Sequence, residues 1–250
     1  MGPSVGIIIP AFHPDLPQLR AYIETLEEVV DPDELRLEFD DPNREISNET
    51  LSDLACTVNL VRQRRGKGQA ITEGFDALDT DILAFVDADG SVPADSVSKI
   101  IEGLTSGPVS VGSRRHPEAT IRSHQTVVRR TLGEGFAWLA RRLLPVQLHD
   151  FQCGGKAITR AGWLTIRDNI SEQGFAWDIE LLGYATAYGF QVVEVPITWE
   201  DRPGSTVSPI ETSIDLFRTL LRMRREAHVD RSVRMPQNSF SSPTEDPFRP

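Results

Sequence analysis

The chain has 250 residues, of which 39% are hydrophobic and 25% are charged, and its formal net charge at pH 7 is −11. This length allows one large domain or two small ones, and the apolar fraction is sufficient for a sizeable core. The acidic balance argues against nucleic acid as a partner, and no apolar run reaches the roughly 18–20 residues of a membrane span, so we expect neither a spanning helix nor a signal peptide.

Apolar segments and helical patterns alternate through the first half of the chain. Predicted strands lie at 5–9, 34–39, 57–61, 82–86 and 109–111, and predicted helices lie at 16–30, 69–78 and 95–104. This alternation is typical of a mostly parallel sheet covered by helices on both faces. Ligands of such sheets bind at the carboxyl ends of the strands. The segments at those ends are Pro10, Asp40-Asp41, 62–68, Asp87 with Asp89, and 112–114.

Asp87-Ala88-Asp89 follows the buried strand predicted at 82–86. Side chains two apart on a strand share a face, so both carboxylates can leave the strand tip in one direction. Hard oxygen ligands at a strand end suit Mg²⁺ or Mn²⁺ that is shared with substrate phosphates. Loop solvation or helix capping is the alternative explanation of the two acids.

The segment Arg64-Arg65-Gly66-Lys67-Gly68 lies between a predicted strand and a predicted helix. Glycines let the backbone approach a phosphate, and the amides at a helix N-terminus attract anions. The segment is not a P-loop, because the glycine spacing and the Ser or Thr after the lysine are both missing. We interpret it as a candidate phosphate-binding loop, with an ordinary basic loop as the alternative.

Long amphipathic segments follow Arg114. Residues 121–144 are predicted as one amphipathic helical segment and residues 209–225 as a last amphipathic helix, with a helix at 177–188 and a strand at 191–199 between them. The two amphipathic segments would lie in a membrane interface or pack on the sheet or a partner. Residues 229–250 are rich in Pro, Ser and Asn, so we predict a disordered tail after a single domain of residues 1–228.

The charged residues and cysteines add two constraints. Seven arginines between 114 and 142 are accompanied by only two acids, which indicates a face for anionic phosphate or lipid, or a solvated helix face. The two cysteines, Cys56 and Cys153, support neither a disulfide framework nor a cysteine metal site, and they fit a reducing cytosol.

Asp178 and Glu180 lie near the start of a predicted helix and cannot share a face of it. Stabilisation of the helix N-terminus explains either acid.

Taken in order, segments from about residue 5 to residue 207 resemble inverting glycosyltransferases of family 2 with the GT-A fold. The branch that looks most similar is that of the polyprenyl-phosphate (dolichyl-phosphate) mannosyl- and glucosyltransferases. The matching segments are 5–12, 66–70 with Gly74, 87–89, 112–114, 150–156, 175–182 and 194–199. The chain departs from the family pattern at 13–15 and 40–43, which both lie at the nucleotide pocket that the resemblance implies.

The resemblance implies that the chain transfers a hexose from a nucleoside-diphosphate sugar to a polyprenyl monophosphate, with inversion. It also implies Mg²⁺ or Mn²⁺ at Asp87 and Asp89. The implied nucleotide-sugar ligands are Pro10, Ala11, Asp40, Asp41, Lys67 and Asp87.

The implied acceptor sets the roles of the remaining polar residues. A phosphate monoester has a second pKa of about 6, so it is largely ionised at neutral pH and has little need of a general base. It needs electropositive placement, for which arginine is suited, so we predict Arg114, Arg129 and Arg130 as its ligands. Asp150, which joins Asp89 and Arg114 in the candidate catalytic set, would orient an arginine or complete the metal shell. If the acceptor were a hydroxyl, Asp150 would be the leading general base.

Three other classes stay open. One is a soluble family 2 glycosyltransferase that acts on a hydroxyl of a sugar, protein or small molecule. Another is a sugar-phosphate nucleotidyltransferase, whose glycine-rich signature near the first strand is missing here. A non-catalytic binding domain is the last. For a lipid acceptor we expect a cytoplasmic enzyme of protein glycosylation, peripheral on the cytoplasmic membrane face or bound to a membrane partner.

Overall fold

The computed structural model describes residues 2–42, 46–122, 127–200 and 209–230, with the backbone alone described at 127–134, 209–214 and 227–230. The strands in this part of the chain are β1 (Val5–Phe12), β2 (Glu34–Asp40), β3 (Thr57–Val61), β4 (Ile82–Val86), β5 (Val109–Ser113), β6 (Thr120–Ile121), β7 (Gly155–Thr159), β8 (Val192–Pro196) and β9 (Thr198–Trp199). The helices are α1 (Leu16–Val29), α2 (Lys67–Ala77), α3 (Ala94–Glu102), α4 (Val127–Leu143), α5 (Arg160–Ile166), α6 (Trp177–Ala187) and α7 (Pro209–Asp230).

Seven strands form one sheet in the order β3-β2-β1-β4-β7-β5-β8, and β6 pairs with β9 in a second sheet. All neighbours in the large sheet are parallel except β7, which is antiparallel to both β4 and β5. The prediction of a mostly parallel sheet is therefore confirmed. Because β7 runs the other way, its first residue lies at the edge where β4 and β5 end, and this edge carries the candidate site.

The sheet has a hydrophobic core on each face, as the alternation of side chains along its buried strands requires. Ile8 and Phe85 belong to the core under α2, α5 and α6, and Ile7 and Val86 belong to the core under α1 and α3. Strands buried on both faces lack a polar alternation, which is why β4 reads as a continuous apolar run.

The start of α1 illustrates how the sequence sets a helix boundary. Asp15 caps this helix, because its side chain accepts a hydrogen bond from the Gln18 amide (3.0 Å). The helix ends before Asp31, which has a left-handed backbone (φ 50°). The predicted stop at Asp31-Pro32 is therefore confirmed.

Two predicted elements differ from the structure. The segment 191–199 is two strands instead of one: β8 pairs with β5, and after Pro196 the chain pairs as β9 with β6. The segment 121–144 is not one helix, because Ile121 belongs to β6 and α4 begins at Val127. Both differences have the same cause, a long-range pairing that local patterns do not reveal.

The amphipathic helices α4 and α7 bury their apolar faces in the protein core. Five residues with at most 4% exposure lie on these faces: Ala137, Ala140, Leu216, Leu220 and Met223. In the described parts of α4 and α7, apolar side chains thus pack within the protein, whereas Phe217 of α7 is 45% exposed, and the membrane-interface alternative stays a prediction. None of the described helices combines the length and apolar character needed to cross a membrane. Helix α7 continues to Asp230, whereas residues 231–250 of the predicted tail lie outside the described residues, and the boundary at 228 stays a prediction.

Candidate active site

Asp87 lies directly after β4, where the end of β4 meets the start of β7. Its amide donates a hydrogen bond to the carbonyl oxygen of Gly154 (2.9 Å). A Cβ atom at position 154 would overlap Oδ2 of Asp87, so a glycine is required for the carboxylate to lie there. In the sequence, the Gly-Gly pair at 154 and 155 is the signal for this close approach, which the prediction for the segment 150–156 did not use.

The loop that carries Asp89 is held by α1. The Gln18 side chain donates a hydrogen bond to the carbonyl oxygen of Asp89, and the Tyr22 hydroxyl donates to that of Val92 (2.6 Å). Within the loop, the Ser91 amide donates to Oδ1 of Asp89 (2.9 Å). Gln18 and Tyr22 therefore fix the backbone on both sides of the loop, a role that their helical spacing alone does not indicate.

The donor set formed by Asp87 and Asp89 suits a divalent cation, but it is not a complete protein site. Both offer hard carboxylate oxygens, and Asp89 is exposed to solvent. Among the described residues, no group of three or more His, Cys, Asp or Glu side chains could hold a metal ion. Mg²⁺ at such sites is typically bound by one or two carboxylates together with substrate phosphates and water. A cation here would therefore depend on a phosphate-bearing ligand.

Two lysines and two aspartates form a cluster at this edge of the sheet. Nζ of Lys67 lies 2.7 Å from Oδ1 of Asp87 and 3.9 Å from Oδ2 of Asp178. Nζ of Lys156 lies 2.6 Å from Oδ1 of Asp178 and donates a hydrogen bond to the carbonyl oxygen of Cys153 (2.8 Å). Asp178 thus connects the predicted metal ligand Asp87 to β7 through two ammonium groups.

The electrostatics of this cluster keep Lys67 charged. Burial disfavours the ammonium form, but the carboxylates of Asp87 and Asp178 outweigh burial and raise the pKa of Lys67. Both ammonium groups also lie over the ring of Phe85, at 5.1 Å for Lys67 and 5.7 Å for Lys156 from the ring centroid. An aromatic face attracts cations, so the ring adds to the carboxylates in holding the two lysines.

Asp178 and Glu180 point to different partners, as their spacing predicts. Glu180 accepts hydrogen bonds from the amides of Ser171 (2.8 Å) and Glu172 (2.6 Å) and pairs with Arg222 of α7 (2.9 Å). Both acids lie in the first turn of α6, where they suit the helix N-terminus, and each one also binds a residue outside that helix.

Asp40, a predicted nucleotide ligand, anchors the loop that precedes α2. Its carboxylate accepts hydrogen bonds from the amides of Arg65 (2.7 Å) and Gly66 (3.0 Å) and from Nε of Arg65 (2.8 Å). Arg65 also pairs with the buried Glu38 (2.9 Å). The position of Asp40 at the end of β2 agrees with the sequence, but both of its oxygens are engaged by the protein.

The other predicted nucleotide ligands lie at the ends of β1 and β2. Pro10 of β1 pairs in register with Glu38 of β2, and Ala11 pairs with the next residue of β2. Asp41 is exposed, has a left-handed backbone (φ 46°) and donates its amide to the carbonyl oxygen of Val61 (2.8 Å). The contact of Pro10, Ala11, Asp40 and Asp41 with a nucleotide stays a prediction.

The glycines at the start of α2 serve close packing within the protein. Gly66 has a left-handed backbone (φ 96°), and a Cβ atom there would meet the carbonyl oxygen of Gln173. A Cβ atom at Gly68 would meet the carbonyl oxygen of Glu172. The Gln69 amide donates to the carbonyl oxygen of Gln173 (3.1 Å). The segment before α6 thus covers part of the N-terminus of α2, and Lys67 is placed between this segment and Asp87.

Arg114, after β5, and Asp150, before β7, form an ion pair in which Asp150 is buried and Arg114 is partly buried. Nε and Nη2 of Arg114 donate to the two carboxylate oxygens of Asp150 at 2.7 and 3.0 Å, and its amide donates at 3.2 Å. Burial raises the pKa of a carboxyl group, but the Arg114 guanidinium outweighs burial and holds the pKa of Asp150 well below its usual range. The structure thus joins two predicted catalytic residues in one fixed unit.

Glu194 of β8 holds the backbone at Asp150 and thereby supports the pair of Arg114 and Asp150. Its carboxylate accepts hydrogen bonds from the amides of His149 (2.7 Å) and Asp150 (3.0 Å), and its other oxygen lies 2.8 Å from Nδ1 of His149. The Gln152 amide donates to Oδ1 of Asp150 (3.1 Å). Glu194 was noticed in the sequence only as part of the matching segment 194–199, because its contact depends on the pairing of β8 with β5.

The other two predicted acceptor ligands cannot be placed as precisely. Arg129 and Arg130 belong to the first turn of α4, and their side chains lie outside the described residues. Their role at the acceptor phosphate stays a prediction.

The chain belongs to glycosyl transferase family 2, because the model of that family, "Glycosyl transferase family 2", matches residues 7–164. The matched region contains β1 to β7 and therefore all four residues Asp87, Asp89, Arg114 and Asp150. The resemblance seen in the sequence is confirmed at the level of this family.

Two curated relatives are similar over much of the chain. "Glycosyltransferase AglD" from Haloferax volcanii is 28% identical over 237 residues, which cover 89% of this chain and 36% of that protein. "Dolichyl-phosphate beta-glucosyltransferase" from Saccharomyces cerevisiae is 31% identical over 177 residues, which cover 65% of this chain and 52% of that protein. The chain thus spans about half, or less, of the length of these relatives.

A solved structure supports the fold. The crystal structure of glucosyl-3-phosphoglycerate synthase from Mycobacterium tuberculosis in complex with Mn²⁺, UDP and glucosyl-3-phosphoglycerate has a TM-score of 0.65. The match covers 90% of this chain and 81% of that chain at 18% sequence identity. At this identity the similarity establishes the fold alone, and the predicted GT-A fold is confirmed.

Proposed function

We propose that this chain transfers a hexose from a nucleoside-diphosphate sugar to a polyprenyl monophosphate, with inversion at the anomeric carbon. An oxygen of the acceptor phosphate attacks that carbon, and the bond from the carbon to the donor diphosphate breaks. The name of the yeast relative, a dolichyl-phosphate glucosyltransferase, supports this acceptor class.

The pair of Arg114 and Asp150 is the observation that carries the proposal. With its carboxylate bound by the guanidinium and its pKa lowered, Asp150 is a poor proton acceptor near neutral pH. A hydroxyl nucleophile benefits from a proton acceptor, whereas a phosphate monoester with a second pKa of about 6 is already ionised. The pair therefore favours a phosphate acceptor over a hydroxyl, and the family match gives no support to a nucleotidyltransferase.

The residues of the site divide into a donor side and an acceptor side. On the donor side Lys67 would bind the diphosphate, while Asp87 and Asp89 would hold Mg²⁺ or Mn²⁺. Such a cation neutralises the charge that develops on a departing diphosphate. On the acceptor side Arg114, together with Arg129 and Arg130 of α4, would bind the phosphate.

We place the acceptor lipid at the exposed faces of α4 and α7, on the cytoplasmic side of a membrane. Trp138 and Phe217 are 57% and 45% exposed, and the guanidinium of Arg142 lies 5.6 Å from the Trp138 ring centroid. Arg218 and Arg225 are also exposed, although the chain as a whole is acidic. Exposed aromatic and arginine side chains suit the interface of an anionic membrane.

The experiment is a transfer assay with a panel of labelled nucleotide sugars and a polyprenyl monophosphate in anionic vesicles. We expect label in the organic phase, in a product that mild acid cleaves, with one of the nucleotide sugars. A parallel reaction offers water-soluble sugars and peptides in place of the lipid. Recovery of all label on these hydroxyl acceptors would contradict the proposal and restore the soluble glycosyltransferase.

A further inference from the structure

The distribution of lysine in this chain singles out one contact of the donor side. Of the 26 basic residues that are Lys or Arg, only Lys67, Lys99 and Lys156 are lysines. Lys99 is exposed on α3, whereas the other two lie together in the cluster around Asp178. In a chain that otherwise uses arginine, the site thus contains the compact, mobile ammonium group.

The two lysines of this cluster are held differently. Lys156 is 1% exposed and has two short contacts, to Asp178 (2.6 Å) and to the Cys153 carbonyl oxygen (2.8 Å). Lys67 has one short contact, to Asp87 (2.7 Å), and a longer one, to Asp178 (3.9 Å). Its side chain is 12% exposed. Lys156 is therefore fixed in the fold, while Lys67 sits at the surface of the site with its charge directed mainly at Asp87.

The contact of Lys67 with Asp87 weakens the binding of any cation at Asp87. A carboxylate that already pairs with an ammonium group at 2.7 Å has little net charge to offer, and the ammonium repels a second cation. Two carboxylates without a third protein ligand bind a divalent cation weakly even without such a competitor. The free protein is thus poorly suited to hold the cation before a phosphate arrives.

We propose that Lys67 is an internal counter-ion that occupies Asp87 in the free protein and keeps the divalent cation out until a nucleoside diphosphate draws its ammonium group away. The inference rests on the donor side of the proposed function. It predicts that the cation enters together with the diphosphate, and not before it.

The second lysine makes the exchange possible without leaving a buried charge unpaired. When Lys67 turns toward a diphosphate, Asp178 keeps its contact with Lys156 (2.6 Å), and Asp87 receives the cation in place of the ammonium. Removal of one partner from a buried pair is otherwise strongly unfavourable. Lys156 and Asp178 therefore act as positioning residues for Lys67.

The test measures Mn²⁺ binding to the full chain by electron paramagnetic resonance, first with Mn²⁺ alone. We expect Lys67→Met to bind Mn²⁺ roughly tenfold to a hundredfold more tightly than the wild type, because a charge-assisted competitor is gone. Lys67→Arg keeps the positive charge and Lys99→Met removes an exposed one, so both should resemble the wild type. Lys67→Gln, of similar length to methionine, repeats the measurement should Lys67→Met unfold, and thermal unfolding monitors all variants.

A second titration adds UDP as the probe diphosphate. In the wild type UDP should tighten Mn²⁺ binding by a larger factor than in Lys67→Met, since only the wild type must first release its own ammonium group. Equal Mn²⁺ affinity of the wild type and the folded Lys67 variants, without UDP, would overturn the inference while leaving the proposed function intact. Absence of Mn²⁺ binding in every variant, with and without UDP, would overturn both this inference and the metal assignment.

Discussion

Two carboxylates at the same edge of the sheet are neutralised in different ways. Asp87 pairs with the single ammonium group of Lys67 at 2.7 Å, whereas Asp150 receives two side-chain nitrogens of Arg114 at 2.7 and 3.0 Å and the Arg114 amide at 3.2 Å. An ammonium is a point charge that can move among partners, and a guanidinium fork fixes its carboxylate in orientation. The contact of Asp87 therefore suits an exchange of cations on the proposed donor side, and that of Asp150 suits a constant geometry on the proposed acceptor side.

The largest loss of activity is expected when Asp89 of the proposed donor side is replaced. Replacing Asp89 with Asn should lower kcat roughly a hundredfold to a thousandfold, the usual cost of losing an electrostatic stabiliser of the transition state. An excess of chelator should inactivate the wild type to a similar extent. Asp95→Asn, at an exposed aspartate of α3, is the matched control and should retain full activity. Undiminished turnover in the chelator would disprove the cation requirement.

Removal of the Asp150 carboxylate on the proposed acceptor side is expected to destabilise the fold. Replacing Asp150 with Asn leaves the partly buried Arg114 without its partner and should lower the free energy of unfolding at neutral pH by about 3 kcal/mol. Asp168→Asn, where the carboxylate is 87% exposed, should change it little. The comparison is made by chemical denaturation of both variants and the wild type.

The pH dependence of this stability has a defined sign. The folded-state pKa of Asp150 lies below its unfolded value of about 3.9, so the stabilisation is fully present above that pH. It is lost as the pH falls from there toward the folded-state pKa, and the wild type should approach Asp150→Asn in stability over this acidic window. A difference that stays constant on acidification would mean that the Arg114 pair does not lower this pKa.

The pH profile of transfer separates a positioning role of Asp150 from a general-base role. A phosphate acceptor should impose a rising limb at about pH 6 that belongs to the substrate. This limb should persist in Asp150→Asn, with a lower plateau because Arg114 is no longer held. Should the limb vanish in the variant, Asp150 would be the proton acceptor and the nucleophile would be a hydroxyl.

A smaller effect, on acceptor affinity alone, is expected from the arginines of α4 and distinguishes the proposed acceptor side from the donor side. Arg129→Ala or Arg130→Ala should weaken acceptor binding by roughly tenfold to a hundredfold, the cost of one charge-assisted hydrogen bond. The affinity for the nucleotide sugar should hardly change. Arg167→Ala, at a partly exposed arginine after α5, serves as a control for the loss of surface charge. Kinetics with each substrate varied in turn measure both affinities, and equal losses would place the arginines at the diphosphate or in the fold.

The sequence was sufficient to locate the site but not its internal pairing. The rule that α/β sheets bind ligands at strand ends predicted the edge that carries Asp87, Asp89 and Arg114. It could not reveal that Asp178 meets two lysines, because that contact joins α2, β7 and α6, which are far apart in sequence. A pattern of local spacing contains no information about such contacts.

Gly66 and Asp40 show the same limit of sequence-based prediction, because packing within the protein decides which partner each of them contacts. Gly66 was interpreted as a residue for close approach of a phosphate, whereas it also allows close approach of the Gln173 carbonyl oxygen. Asp40 was assigned to the nucleotide, and its oxygens bind Arg65 and the Gly66 amide. In both cases the residue type predicted a close polar contact correctly, and only the three-dimensional arrangement identifies the partner.

The least disruptive prediction concerns Tyr22, which holds the Asp89 loop without touching its carboxylate. Tyr22→Phe removes the hydrogen bond to the Val92 carbonyl oxygen (2.6 Å) and should lower the free energy of unfolding by about 1 kcal/mol. Tyr184→Phe, which removes a hydrogen bond to Glu226 (2.6 Å) remote from the Asp89 loop, should cost a similar amount and is the matched control. Because Tyr22 supports the Asp89 loop and Tyr184 does not, only Tyr22→Phe should also weaken Mn²⁺ binding in the presence of UDP. Equal Mn²⁺ affinity of the two variants would mean that the Asp89 loop keeps its geometry without the Tyr22 hydrogen bond.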